Sequence, residues 1–201
     1  MKNIEFTELQ ANAAQLIGKQ WMLITAGTPE KFNCMTASWG GLGFLWNRPV
    51  AFLFVRPNRH TVQFIEAQEK LTLSFMPENY RQDLVFCGRN SGRDVDKMAH
   101  TSLRPTTLPS GAPAFADADL VLECRKMFKA DMQQADFLDW AEVSPAFYAE
   151  DNPLHTLYIC EITATLVREY SRSPPPLLFP AGALLATGRF VYHIGARRIC
   201  D

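Results

Sequence analysis

Three apolar runs fall within the first 56 residues, WMLITAG (21–27), CMTASWG (34–40) and VAFLFVR (50–56), each bounded by Gly, Pro or Asn. Short apolar runs punctuated by turn formers read as strands. Parallel neighbours need a crossover of about a dozen residues or more, whereas antiparallel neighbours join through tight turns. The links at 28–33 and 41–49 are too short for crossovers. The chain is therefore committed early to an antiparallel sheet or barrel.

Three later runs continue the pattern: LTLSFM (71–76), LVLECRKMFKADM (120–132) and HTLYICEITATLVRE (155–169). Short helical stretches accompany these runs. Residues 5–17 place Phe6, Leu9, Ala13 and Leu16 at helical spacing, with Thr7 and Gln10 as a weak capping box and Gly18 as a stop. Residues 60–68 start a helix near Thr61, and residues 80–88 put Leu84, Val85 and Cys87 on one side. No sustained strand–helix alternation supports a parallel doubly wound sheet. The expected fold class is mainly β with short helices, about six strands closing into a small barrel.

With 47% hydrophobic and 20% charged residues, a chain of 201 residues suits one well-buried domain, placed at 1–169. A formal net charge of −1 offers no bulk attraction to nucleic acid or to an anionic membrane. No stretch reaches the roughly 20 apolar residues of a spanning helix, and MKNIEFTELQ carries charges where a signal peptide needs an apolar run. The expected location is cytoplasmic. The five cysteines are scattered without a CxxC pair, so they read as small buried side chains in a reducing compartment. From Tyr170 the character changes: SRSPPPLLFP (171–180) and a small, apolar, finally basic stretch follow. Residues 170–201 read as an atypical tail, a frame-shifted or fused segment as against a lineage-specific tail packed on a dimer.

Three segments can carry chemistry. NCMTASWGG (33–41) offers accessible main-chain N–H groups, the hydroxyls of Thr36 and Ser38, and an aromatic face at Trp39. Its plainer reading is a strand ending in a Gly-rich turn. RPNRHT (56–61) places the forked donors of Arg56 and Arg59 and the hydroxyl of Thr61 beside a helix start, a setting suited to phosphate. A surface arginine pair at a strand end is equally common. SGRDVDK (91–97) brings Ser91, Gly92, Arg93 and Lys97, or else a solvated charge run. The Asp94–Asp96 pair lacks partner ligands for a metal, so none is expected. No GxGxxG, P-loop, HExxH or GxSxG motif occurs.

Taken in order, NCMTASWGGLGFLWNRPVAFLFVRPNRHT (33–61), SGRDVDK (91–97), LVLECRK (120–126) and DNPLHTLYICEI (151–162) resemble the flavin reductase-like family, in its flavoredoxin-like branch. The resemblance spans about residues 5–168 and implies an FMN-binding split β-barrel that dimerises, with the cofactor held non-covalently near the subunit interface. It implies that Thr36, Ala37, Ser38 and Trp39 line the flavin, that Arg56, Arg59 and Thr61 hold its phosphate, and that Ser91, Gly92 and Lys97 close the pocket. His155 would lie near the isoalloxazine. The implied activity is that of a flavin-dependent oxidoreductase taking electrons from NADH, NADPH or a protein donor to a small acceptor; a non-catalytic flavin-binding or sensing module is the alternative. No side chain stands out as an obligatory acid or base. The sequence after Arg168 departs from the family pattern.

Overall fold

The computed structural model describes residues 1–148 and 152–169. The expectations for residues 170–201 lie outside the described residues.

The sheet is built from β1 (Lys2–Ile4), β2 (Met22–Gly27), β3 (Phe32–Ala37), β4 (Gly40–Leu45), β5 (Arg48–Val55), β6 (Lys70–Phe75), β9 (Leu120–Asp131) and β10 (Thr156–Val167). A second, two-stranded sheet is formed by β7 (Pro105–Thr107) and β8 (Pro113–Phe115). The helices are α1 (Ala13–Gln15), α2 (Thr61–Ala67), α3 (Arg81–Arg89) and α4 (Trp140–Phe147).

Strand order is β3-β2-β6-β9-β10-β5-β4, with every pairing antiparallel, and β1 joins the far end of β10. The two ends of this path, β3 and β4, are joined only by Ser38 and Trp39. Seven strands laid flat would separate the end strands by roughly 29 Å at about 4.8 Å per step. The Ala37–Gly40 step spans at most about 11 Å. The sheet therefore curls round, and its two edges meet at Ser38–Trp39, where the barrel is split. Register shifts between Ile159 and Cys160 and between Ile162 and Ala164 let the long β9–β10 pair bend.

Alternation fills the inside. Met22, Ile24 and Ala26, then Ala51, Leu53 and Val55, then Leu71, Leu73 and Phe75 point inward at every second residue, meeting Leu120, Leu122, Tyr158 and Ile162. Leu53, Leu71 and Leu73 are fully buried, and each such side chain contributes on the order of 1.5–3 kcal/mol. Leu23, Cys34 and Val121 face outward, under Leu84 and Cys87 of α3 and Ala114 and Phe115 of β8. β2 is thus covered on both faces, which explains its continuous apolar run.

Two expectations change. The helix over 5–17 is interrupted: a short 3-10 turn at Phe6–Glu8 precedes α1, because Asn12 caps a new start by accepting from the N–H groups of Ala14 and Gln15. The Gly-rich turn after Trp39 is instead strand β4. Glycine weakens strands, but the Phe52 ring lies over Gly41 and Gly43 and fills the space their side chains would take. Trp46 and Asn47, at φ 54° and 57°, form the two-residue turn that returns β4 into β5.

Candidate functional site

Each edge strand has one strand neighbour among the described residues, so alternate backbone groups of β3 and β4 lack a ladder partner. The β3 edge borders a cavity of about 230 Å³. Thr36, Ala37, Ser38 and Trp39 line one side of it; Met35, Phe54, Arg56, Arg59 and His155 line the rest. Gly40, at φ +151°, makes the bend into β4 possible: a Cβ there would stand 2.6 Å from the Phe52 carbonyl oxygen. The Thr36 hydroxyl donates to the Leu84 carbonyl at 2.5 Å, so its proton anchors α3. Trp39 is 41% exposed and its ring sits 5.1 Å from those of both His155 and Phe147.

A second cavity of about 420 Å³ shares Met35, Arg56 and Arg59 with the first. Its remaining wall includes Asn33, Thr61, Ser91, Gly92, Arg93 and Lys97. All eleven residues singled out in the sequence thus line one or other of two adjoining cavities, the first bordered by Trp39, Phe54 and His155, the second richer in cationic and hydroxylic groups.

The groups differ in what they leave free. Arg56 donates to the carbonyls of Pro153 (3.2 Å) and Phe147 (2.8 Å), and its guanidinium lies 5.4 Å from the Tyr148 ring centroid. Arg59 donates to Gly88 at 3.1 Å. A guanidinium has five N–H donors, so both retain several for a ligand. Thr61, almost fully buried, accepts from the Asn33 amide at 2.9 Å and keeps its own proton to donate. The Ser91 hydroxyl accepts from the Arg93 N–H within its own turn.

Lys97 sits differently from the sequence expectation. It is buried, and its ammonium donates to the carbonyls of Cys34 (2.7 Å) and Cys87 (2.9 Å). Burial lowers its pKa. Two of its three donors are committed, leaving one for the cavity. His155 is also buried, and its pKa falls to about 4, first through burial and then through the charges of Arg56 and Arg59. It is neutral at pH 7, with Nδ1 3.0 Å from the Tyr148 hydroxyl.

This arrangement fits a planar ring carrying a phosphate. The edge of β3 and the aromatic wall suit the ring, while Arg59, Thr61 and the donors near Gly92 suit the anion. Gly92 has to be small, because a Cβ there would lie 2.3 Å from Asn33 Oδ1. Among the described residues no group of three or more His, Cys, Asp or Glu side chains is placed to hold a metal ion. Sequence reasoning missed Met35, Phe54 and Tyr148. Phe54 was accessible, since inward Leu53 and Val55 leave it facing out; Tyr148 carries no local signal.

A family model described as a flavin reductase like domain matches residues 15–191. No curated protein matches the chain by sequence. Among solved structures, a flavoredoxin from Methanosarcina acetivorans is similar at 21% identity and TM-score 0.57, over 75% of this chain and 69% of that one. An FMN-binding protein from Thermus thermophilus with bound p-hydroxybenzaldehyde shares 18% identity, with TM-score 0.58 over 84% and 83%. The NADH:FAD oxidoreductase SgcE6 of Streptomyces globisporus C-1027 shares 16%, with TM-score 0.56 over 74% and 75%. At these identities the likeness is one of fold.

Proposed function

Because the chain belongs to the flavin reductase-like family, we propose that it is a cytoplasmic flavin-dependent oxidoreductase that holds FMN non-covalently across the two adjoining cavities. The observation that carries this reading is the shared wall: Met35, Arg56 and Arg59 border both an aromatic compartment and a cationic one. When bound, FMN supplies the electron-accepting chemistry. The chain supplies position and field. Arg59 and Thr61, with the N–H groups around Ser91 and Gly92, hold the phosphate, and Arg56 borders both ends. Thr36 to Trp39 present backbone donors and an aromatic face to the ring. His155, neutral and hydrogen-bonded to Tyr148, packs against Trp39 and keeps that wall fixed. NADH or NADPH serves as donor to a small acceptor; the Streptomyces neighbour is named an NADH:FAD oxidoreductase.

Homodimerisation belongs to the same reading. Phe52, Ile159 and Phe128 are register partners on β5, β10 and β9, and Phe54 pairs with Leu157. Paired residues share a face, and these five side chains point away from the barrel core. Phe128 remains 43% exposed. Phe54 also lines the first cavity, so an apolar sheet face runs directly into the site. A second copy laid on this face would bring the flavin to the interface.

The test is the absorption spectrum of the purified protein, with FMN, FAD and riboflavin titrations, followed by anaerobic NADH and NADPH. FMN binding tighter than that of riboflavin, with bleaching by one nicotinamide, supports the proposal. A colourless protein that takes up no flavin overturns it. Flavin that binds and is never reduced assigns a non-catalytic binding module.

A further inference from the structure

Cys34 on β3 and Cys87 on α3 come within 3.8 Å at Sγ, although 53 residues separate them. Both residues are buried in the seam between strand and helix, each 1% exposed, and both border cavities. Cys87 lines the second cavity, and Cys34 lines a neighbouring one of about 570 Å³ bounded by His60, Gly92 and Lys97. The pair therefore forms part of the wall between two solvent-connected spaces. The backbone around it is clamped: one ammonium, that of Lys97, donates to the carbonyls of the same two cysteines. Gly88 packs on Thr36, and the Thr36 hydroxyl holds Leu84, so β3 and α3 are fixed at this level.

We propose that Cys34 and Cys87 are a thiol pair that hydrogen peroxide converts into a reversible disulfide, stapling β3 to α3 at the wall of the cationic cavity. A disulfide needs the sulfurs at about 2.05 Å, so the pair must close by about 1.8 Å.

The roles within the pair are unequal. The Cys34 S–H donates to Cys87, which lowers the Cys87 thiol pKa, and Lys97 adds to that effect; the same bond raises Cys34. The Cys87 thiolate attacks one peroxide oxygen and the O–O bond breaks. Hydroxide leaves, takes a proton and becomes water, and Cys87 is left as a sulfenic acid. The Cys34 sulfur, giving up its proton, then attacks Cys87 Sγ. The S–O bond breaks, a second water departs, and the S–S bond forms. Two thiols have lost two electrons and two protons; peroxide has been reduced to two waters. The other described cysteines lack this setting. For Cys124 and Cys160 burial is the largest influence and raises both thiols, Cys160 to about 12. The inference needs no bound flavin, so it stands or falls separately from the proposed function.

The experiment treats the full-length protein with hydrogen peroxide and counts free thiols after unfolding, with trypsin digestion and mass spectrometry of the non-reduced sample. The expected result is a fall from five thiols to three. A cross-linked species should join peptide 82–89 to peptide 32–59, and dithiothreitol should release it. Cys87→Ala and Cys34→Ala should each abolish the cross-link. Five thiols remaining would overturn the proposal. So would a cross-link through Cys124, Cys160 or Cys200, or oxidation of Cys87 to sulfinic acid without a cross-link. The wild-type peptide map decides the matter even where a variant fails to fold.

Discussion

The Asn33 side-chain amide donates to the Thr61 hydroxyl at 2.9 Å, tying β3 to the first residue of α2 beneath the cationic cavity. The other end of that amide, Oδ1, is the atom a Cβ at position 92 would meet. One side chain thus couples the strand, the helix start and the later loop.

Gly92→Ala forces Asn33 to move and breaks or bends its bond to Thr61. The expected cost is on the order of 1–2 kcal/mol in stability, with weaker FMN binding, because Thr61 and the loop shift together. Removing the obstacle should rescue it. In an Asn33→Ala background the Gly92→Ala change should cost clearly less than alone, and a double-mutant cycle by thermal unfolding measures the difference. Additive costs would show that the two residues do not meet.

The two arginines should separate by ligand. Arg59 donates to the Gly88 carbonyl, whereas Arg56 holds the Phe147 and Pro153 carbonyls and lies by the Tyr148 ring. Arg59→Ala should weaken FMN by on the order of 1.5–3 kcal/mol and leave riboflavin almost unchanged. Arg56→Ala should weaken both. Calorimetric titration with the two flavins checks this, and equal losses for Arg59→Ala would move the phosphate elsewhere.

Much of this frame is legible in the residues themselves. The apolar runs at 50–56 and 71–76, bounded by turn formers, report strands without any tertiary knowledge. That signal fails where the structure breaks its own rule. β4 is rich in glycine and is held as a strand by the overlying Phe52 ring. β7 and β8 are three residues each and begin with proline, too short for a period to register. Lys97 offers a sharper lesson. A lysine among charges reads as solvated or as a phosphate ligand, yet packing buries it on two carbonyls brought together by β3 and α3. Only the fold places Tyr148 beside Arg56 and His155.

The outward apolar row gives an assembly prediction. Phe128 is exposed on β9 beside Ile159, so Phe128→Lys should leave a monomer's melting temperature nearly unchanged. If the row is a subunit interface, the substitution should weaken the dimer by about 2 kcal/mol or more. FMN affinity should fall with it, since Phe54 belongs to both the row and the cavity. Sedimentation across a concentration series reads the first effect and flavin fluorescence the second. An unaltered dimer places the interface on another face.

His155 makes stability depend on acid. Its pKa is near 4 in the folded protein and about 6.5 in an unfolded chain. Between those values the unfolded chain binds one proton more at this ring, so stability rises with pH there and is lost on acidification from about pH 6.5 to 4. The full effect approaches about 3 kcal/mol, because burial and the two arginines oppose the imidazolium together. The ring proton resonance of His155 should titrate near pH 4, and His155→Gln should flatten this part of the stability profile. Loss of Tyr148 as a hydrogen-bond partner, in Tyr148→Phe, should leave the neutral form favoured, since burial is the larger cause. A midpoint near 6.5 in the wild type would mean that water reaches this ring freely and that the aromatic wall is open.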